Sequence, residues 1–218
     1  MSSDAPRASS QPSFWDARYA THDHLFGTAP SPFVMKAAER LSPGRAVVEL
    51  GAGEARSLCG LARRDGHRVT AVDFSARALE GAAALADAQG VNLETIQADV
   101  RTWRPERTWD AVVVSFLQLL PDERPALYRS IRRILRPGGL MIGEWFRPAH
   151  CTGDYARIGP SKLDRMVPPD ELRTAFADDI RLRCDPVDVH LADSGRLRGS
   201  AAVVHLVAQR RPRTSEQP

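Results

Sequence analysis

Lysine is almost missing from this chain. Of its 30 basic residues only Lys36 and Lys162 are lysine, and the arginines are spread along the sequence rather than gathered into a stripe. With a net charge of only +3, that pattern leaves no electrostatic footprint for DNA or RNA, and no nucleic-acid partner is expected. Cysteine is scarce too. Cys59, Cys151 and Cys184 are odd in number and lack metal-ligand spacing, so neither a disulfide framework nor a metal site is expected. No apolar run reaches the length of a membrane span, so no membrane partner is expected. The first twelve residues lack the apolar centre of a secretory leader, which makes the cytoplasm the expected location. Residues 1–12 and 211–218 read as disordered tails on one domain at 13–210.

What is present begins at Val47-Val48-Glu49-Leu50, a short strand pattern carrying one carboxylate. Gly51-Ala52-Gly53 follows, and then, from about Glu54, a helix with Leu58, Leu61 and Ala62 on one face. A turn this tight, with a ligand close to its backbone, suits glycine. The helix amides beyond it favour an anionic or carboxylate-bearing group. Two glycines alone are a weak signal, but Arg68–Asp73 reads as a second strand ending in a carboxylate. Asp73 falls about 20 residues after the turn, where an acid accepts both hydroxyls of a ribose. The competing reading is that it caps the next helix. Phe74 suits an adenine face.

Ser75 is an N-cap for a helix ending near Gly90, and residues 92–97 form a third strand followed by Asp99. Residues 110–117 are nearly all apolar and predict a central fourth strand. A helix over 122–135 stops at Arg136-Pro137-Gly138-Gly139, before a fifth strand at 140–146. From 147 to 169 periodicity fails, and long loops in compact domains are usually functional. A helix at 168–177, a strand at 180–191, a turn at Asp193-Ser194-Gly195 and a returning strand at 198–209 complete the pattern. The expected fold is α/β: a Rossmann-like, seven-stranded, mostly parallel sheet with an antiparallel C-terminal hairpin and helices on both faces. Residues 13–41 read as an N-terminal helical lid, with Trp15 and Tyr19 on one helix face beside Arg18.

Taken together, the glycine turn, Asp73, Asp99, Asp110 and Leu135-Arg136-Pro137-Gly138-Gly139 resemble class I S-adenosylmethionine-dependent methyltransferases. The opening Phe14-Trp15-Asp16-Ala17-Arg18-Tyr19, the Phe26 to Pro30 loop and the closing hairpin are similar to the tellurite-resistance and thiopurine methyltransferase-like branch. The resemblance implies S-adenosylmethionine as cofactor and a small soft nucleophile as acceptor: a thiol, sulfide or chalcogen oxyanion. It implies that Glu49, Gly51 and Gly53 hold the methionine moiety, Asp73 the ribose and Phe74 the adenine face. Asp99 and Val100 would meet the adenine edge, and Ser115 and Phe116 would border the sulfonium. Trp15, Arg18 and Tyr19 would cover the cofactor. His190 and Arg198 match the spacing of a histidine and arginine proposed to act on substrate in the tellurite type. His150 joins them as a candidate cation in the long loop.

Two departures stand out. Ala55 replaces the third glycine of the usual turn, with cofactor binding expected to survive. The Asn/Asp-Pro-Pro-aromatic signature after the fourth strand is replaced by Ser115-Phe116-Leu117-Gln118, which argues against nucleic-acid N-methylation. The alternatives are a small-molecule O- or N-methyltransferase of natural-product metabolism, a non-catalytic S-adenosylmethionine-binding module, and a NAD-binding domain.

Overall fold

The computed structural model describes residues 8–192 and 196–212. A 3-10 turn at Ala8–Ser10 leads into α1 (Pro12–Tyr19) and α2 (Pro32–Ala38). There follow β1 (Ala46–Leu50), α3 (Arg56–Asp65), β2 (Arg68–Asp73), α4 (Ala76–Gln89), β3 (Leu93–Gln97) and β4 (Trp109–Ser115). The second half comprises α5 (Arg124–Ile134), β5 (Leu135–Phe146), α6 (Ala149–Thr152), α7 (Pro169–Ala175), β6 (Ile180–Ala192) and β7 (Arg198–Gln209). Ala8–Ser10 falls within the segment expected to be a disordered tail and is instead ordered. The expected turn at Asp193-Ser194-Gly195 lies outside the described residues.

The strands form one seven-stranded sheet in the order β3-β2-β1-β4-β5-β7-β6. The first five run parallel, and β7 and β6 add on antiparallel. Chain order reverses between β1 and β4, so a crevice opens there at the carboxyl ends of the strands. One face of the sheet packs Val48, Leu50, Val112 and Val114 against Leu127 and Ile131 of α5 and Leu172 of α7. The other packs Val47, Ala71, Val113 and Ile142 against α2, α3 and α4. These parallel strands are apolar toward both faces because helices cover both.

The Arg136-Pro137-Gly138-Gly139 segment does not separate helix from strand. It is a bulged start to β5: Trp109 pairs with Leu135, and Ala111 next with Leu140. Asp110 explains the motif. Its carboxylate accepts from the Ala46 amide at 2.8 Å and the Arg136 guanidinium at 2.8 Å, tying three strands together at their amino ends. A Cβ on Gly139 would stand 2.8 Å from the Arg136 carbonyl and 2.9 Å from that of Asp110. Only glycine fits that approach.

Candidate active site

The site grows from the glycine turn. Gly51 and Gly53 have φ of +70° and +55°, conformations that cost a side chain energy. The Gly51 and Ala52 amides donate to the Val72 carbonyl, locking the turn onto β2. The Gly53 amide donates to Asp73 Oδ2 at 2.8 Å, and the Ser75 amide donates to Asp73 Oδ1 at 2.9 Å. Asp73 thus shapes the turn and the entry to α4. Burial pushes its carboxyl above the usual range, and the Ser75, Gly53 and Phe74 amides pull the other way. Each carboxylate oxygen keeps acceptor capacity for a hydroxyl.

Ala55 is left-handed at φ +54° and caps α3, which begins at Arg56 rather than at about Glu54. Its substitution for glycine therefore falls at a strained position. Phe116 is another such residue, at φ +54° directly after β4. The turned backbone packs its ring on Phe146, with centroids 4.9 Å apart.

These elements line a cleft open at one side, with about 1110 Å³ of empty space once the open solvent at its mouth is included. Trp15, Tyr19, Glu49, Gly51, Gly53, Asp73, Phe74, Asp99, Val100, Ser115 and Phe116 all line it. The lid is pinned by Asp16, whose Oδ1 accepts from Ser75 Oγ at 2.6 Å and the Arg77 amide at 3.2 Å. Tyr19 is buried over the turn. Burial raises its phenol well above the usual value, and the Asp73, Glu54 and Glu49 carboxylates add to the rise.

Glu49 is 4% exposed, and its Oε2 is buried without a hydrogen-bond partner. Burial pushes its pKa up to about 8, opposed by Arg56 and reinforced by Asp73 and Glu144. A buried carboxylate oxygen left open beside the glycine turn fits a ligand that brings an ammonium group. Asp99 is engaged already: Arg101 holds both its oxygens, at 2.6 and 2.8 Å. Burial pushes Asp99 up, but the Arg101 hydrogen bonds outweigh it and hold the carboxyl below its ordinary range.

Four residues expected at the site are not on the cleft wall. Arg18 does not line the cleft; its guanidinium sits 4.5 Å from the Phe14 ring centre. His190 and Arg198 are exposed positions on β6 and β7, away from the cleft wall. His150 is a structural clip. Its Nδ1 accepts from the Ala202 amide at 3.3 Å, so Nε2 carries the hydrogen bonded to the Ile158 carbonyl at 2.8 Å.

The sequence reading missed Ser9, Ser10, Phe26, Arg101, Arg165 and Leu197, all on the cleft wall. Arg101 stands two residues from Asp99, a spacing that signalled their pairing. The others arrive from distant parts of the chain with no local signal. Ser10 is gripped from both sides: Arg101 donates to its carbonyl at 3.1 Å and Arg165 to its hydroxyl at 3.0 Å.

Comparison with known proteins agrees with this geometry. Residues 47–139 match the family model described as a methyltransferase domain. A cypemycin N-terminal methyltransferase from a Streptomyces species is 34% identical over 134 residues, covering 57% of this chain and 53% of the relative. The chain thus spans about half the length of the curated relatives it matches. TehB from Haemophilus influenzae superposes with a TM-score of 0.70 at 19% identity, over 92% of this chain and 67% of TehB. A protein solved in work on the conversion of a disulfide bond into a thioacetal group during echinomycin biosynthesis gives 0.71 at 20% identity, over 94% of both chains. The glycine turn, the ribose-distance carboxylate and the open Glu49 oxygen fit S-adenosylmethionine. Over residues 47–139 the chain is similar to the methyltransferase-domain family, and its fold is shared with the solved structures above.

Proposed function

We propose that the protein methylates a small molecule at sulfur, on a thiol or sulfide. The observation that carries this is the character of the wall beside the cofactor cradle. Phe26, Phe116, Leu117, Leu119 and Leu197 make it largely apolar. The three arginines on the cleft wall are all engaged: Arg56 with the Ala29 carbonyl, Arg101 with Asp99 and Glu123, Arg165 with Gln118 and Ser10. An apolar wall favours a neutral soft nucleophile over an oxyanion, which is costly to desolvate. The thiol half of the expected acceptor class is therefore preferred over the chalcogen oxyanions.

Bound S-adenosylmethionine supplies a methyl group on an excellent leaving group. The protein's contribution is alignment and exclusion of water. Glu49 meets the ammonium of the methionine end, Asp73 the ribose, and Phe74 with Val100 the adenine. Trp15 and Tyr19 close the cleft from above. Ser115 and Phe116 border the reacting centre.

The test is an acceptor panel: 2-mercaptoethanol, benzenethiol, sulfide, selenite, tellurite, a phenol and a primary amine, with S-adenosylhomocysteine formation as readout. Thiols are expected to turn over fastest. The Streptomyces relative is named for methylation at an N-terminus, which supports a second reading with an amine acceptor; a winning amine would replace the first. Turnover with any acceptor removes the non-catalytic reading.

A further inference from the structure

A row of polar side chains runs from the cleft into the sheet. Ser115 lines the cleft, and its hydroxyl donates to Glu144 Oε1 at 3.2 Å. Glu144 stands beside Ser115 in the β4–β5 register, and His205 beside Glu144 in the β5–β7 register. Ser31 donates to the same Oε1 at 2.9 Å. His205 Nε2 lies 3.2 Å from Glu144 Oε2, so that nitrogen carries the hydrogen toward the carboxylate. The His205 ring is stacked on Phe33, with centroids 3.7 Å apart and planes within 8°. Glu144 and His205 are 3% and 6% exposed. A carboxylate is costly to bury, and this one is held by three donors with one of them on the cleft wall.

Each acidic group on the cleft wall itself has a task. Glu49 and Asp73 belong to the cofactor cradle, Asp99 is held by Arg101, and Glu54 faces His24 at 3.7 Å. Yet a thiol or amine acceptor must shed a proton. We propose that Ser115 and Glu144 form its relay, with His205 as the positioning residue that fixes the carboxylate. This rests on the methyl-transfer reading. The acceptor's proton passes to Ser115 Oγ as the Ser115 proton passes to Glu144 Oε1. The acceptor's freed electron pair forms the new bond to carbon, and the cofactor's sulfur keeps the pair of the bond that breaks. The proton returns to solvent by the same path once product leaves. The hairpin thus serves the site through His205, at a position that its exposed His190 does not reach.

Other groups around His205 are few. Asp185 of β6 is its register partner, Arg183 of β6 lies 5.9 Å from the Phe33 ring centre, and α2 presents Phe33.

The experiment compares wild type with Glu144→Gln and His205→Gln at saturating methyl donor, using benzenethiol and 2-mercaptoethanol across pH. Benzenethiol is the stronger acid and arrives largely ionised at mildly alkaline pH; 2-mercaptoethanol arrives mostly protonated. Both variants are expected to raise the kcat preference for benzenethiol over 2-mercaptoethanol by about tenfold or more. An equal loss on both thiols overturns the relay. A second readout needs no turnover: ¹⁵N-histidine NMR of the S-adenosylhomocysteine complex. Ser115→Ala, one link removed from the ring, is expected to shift the His205 resonances; an unchanged spectrum overturns the relay. If wild type methylates neither thiol, the sulfur reading falls by itself, and the NMR result still decides the relay.

Discussion

Gly53 makes two demands at once. Its φ is +55°, and a Cβ there would stand 2.6 Å from the Tyr19 hydroxyl. Gly53→Ala is expected to weaken S-adenosylhomocysteine binding at least about tenfold, or ~1.4 kcal/mol, by calorimetry. Adding Tyr19→Phe removes the oxygen it strikes and should restore part of that loss; no recovery would mean that backbone strain alone is responsible. Glu49 gives a pH signature. Its carboxyl rises from 4.5 to about 8, so the folded protein holds a proton there that the unfolded chain has released. This group's contribution to stability is therefore present at low pH and falls as pH climbs through that window. A bound ammonium reverses the penalty. The thermal shift given by S-adenosylhomocysteine should grow from pH 4.5 to about 8, and Glu49→Gln should flatten the trend. A flat wild-type shift would sink the ammonium assignment.

Between elements, one lid side chain serves as a cap. In α4 the Ala78 amide is served by Ser75 Oγ at 3.1 Å, and the Arg77 amide by Asp16 from α1. Asp16→Ala removes the second acceptor and the bond that pins the lid. The expected cost is ~1 kcal/mol of stability, with weaker cofactor binding and a changed Trp15 fluorescence; retained binding affinity would separate cap from lid. The motif Phe14-Trp15-Asp16 was legible as a helix with an aromatic face. Its aspartate was not, because its partner lies sixty residues on and only folding brings the two together.

Across the whole molecule, what the sequence carried well was what repeats along it. Alternating strand and helix patterns gave the parallel order, and the distances from the turn to Asp73 and Asp99 picked out two residues that line the cleft. What it carried poorly was convergence. Arg165 and Leu197 reach the cleft from the long loop and the hairpin, and neither has a neighbour that announces it. The hairpin misled for a physical reason. Spacing along β6 and β7 picks out His190 and Arg198, which are exposed, whereas the register sets the buried His205 beside Glu144. His190→Ala and Arg198→Ala should therefore alter stability by less than about 0.5 kcal/mol and leave turnover of the preferred acceptor as in wild type. A large loss in either would return the hairpin tip to the site.

The grip on Ser10 has a practical consequence. The chain enters the protein at the rim of the cleft, whereas β7, antiparallel to β5, carries it out where Gln209 pairs with Leu140, at the opposite edge of the sheet. Ser9 and Ser10 line the doorway through which cofactor exchanges, and Gln209 lies at the far end of β5 from it. A purification handle at the front should slow S-adenosylhomocysteine release in stopped-flow measurements, and the same handle at the back should leave it untouched.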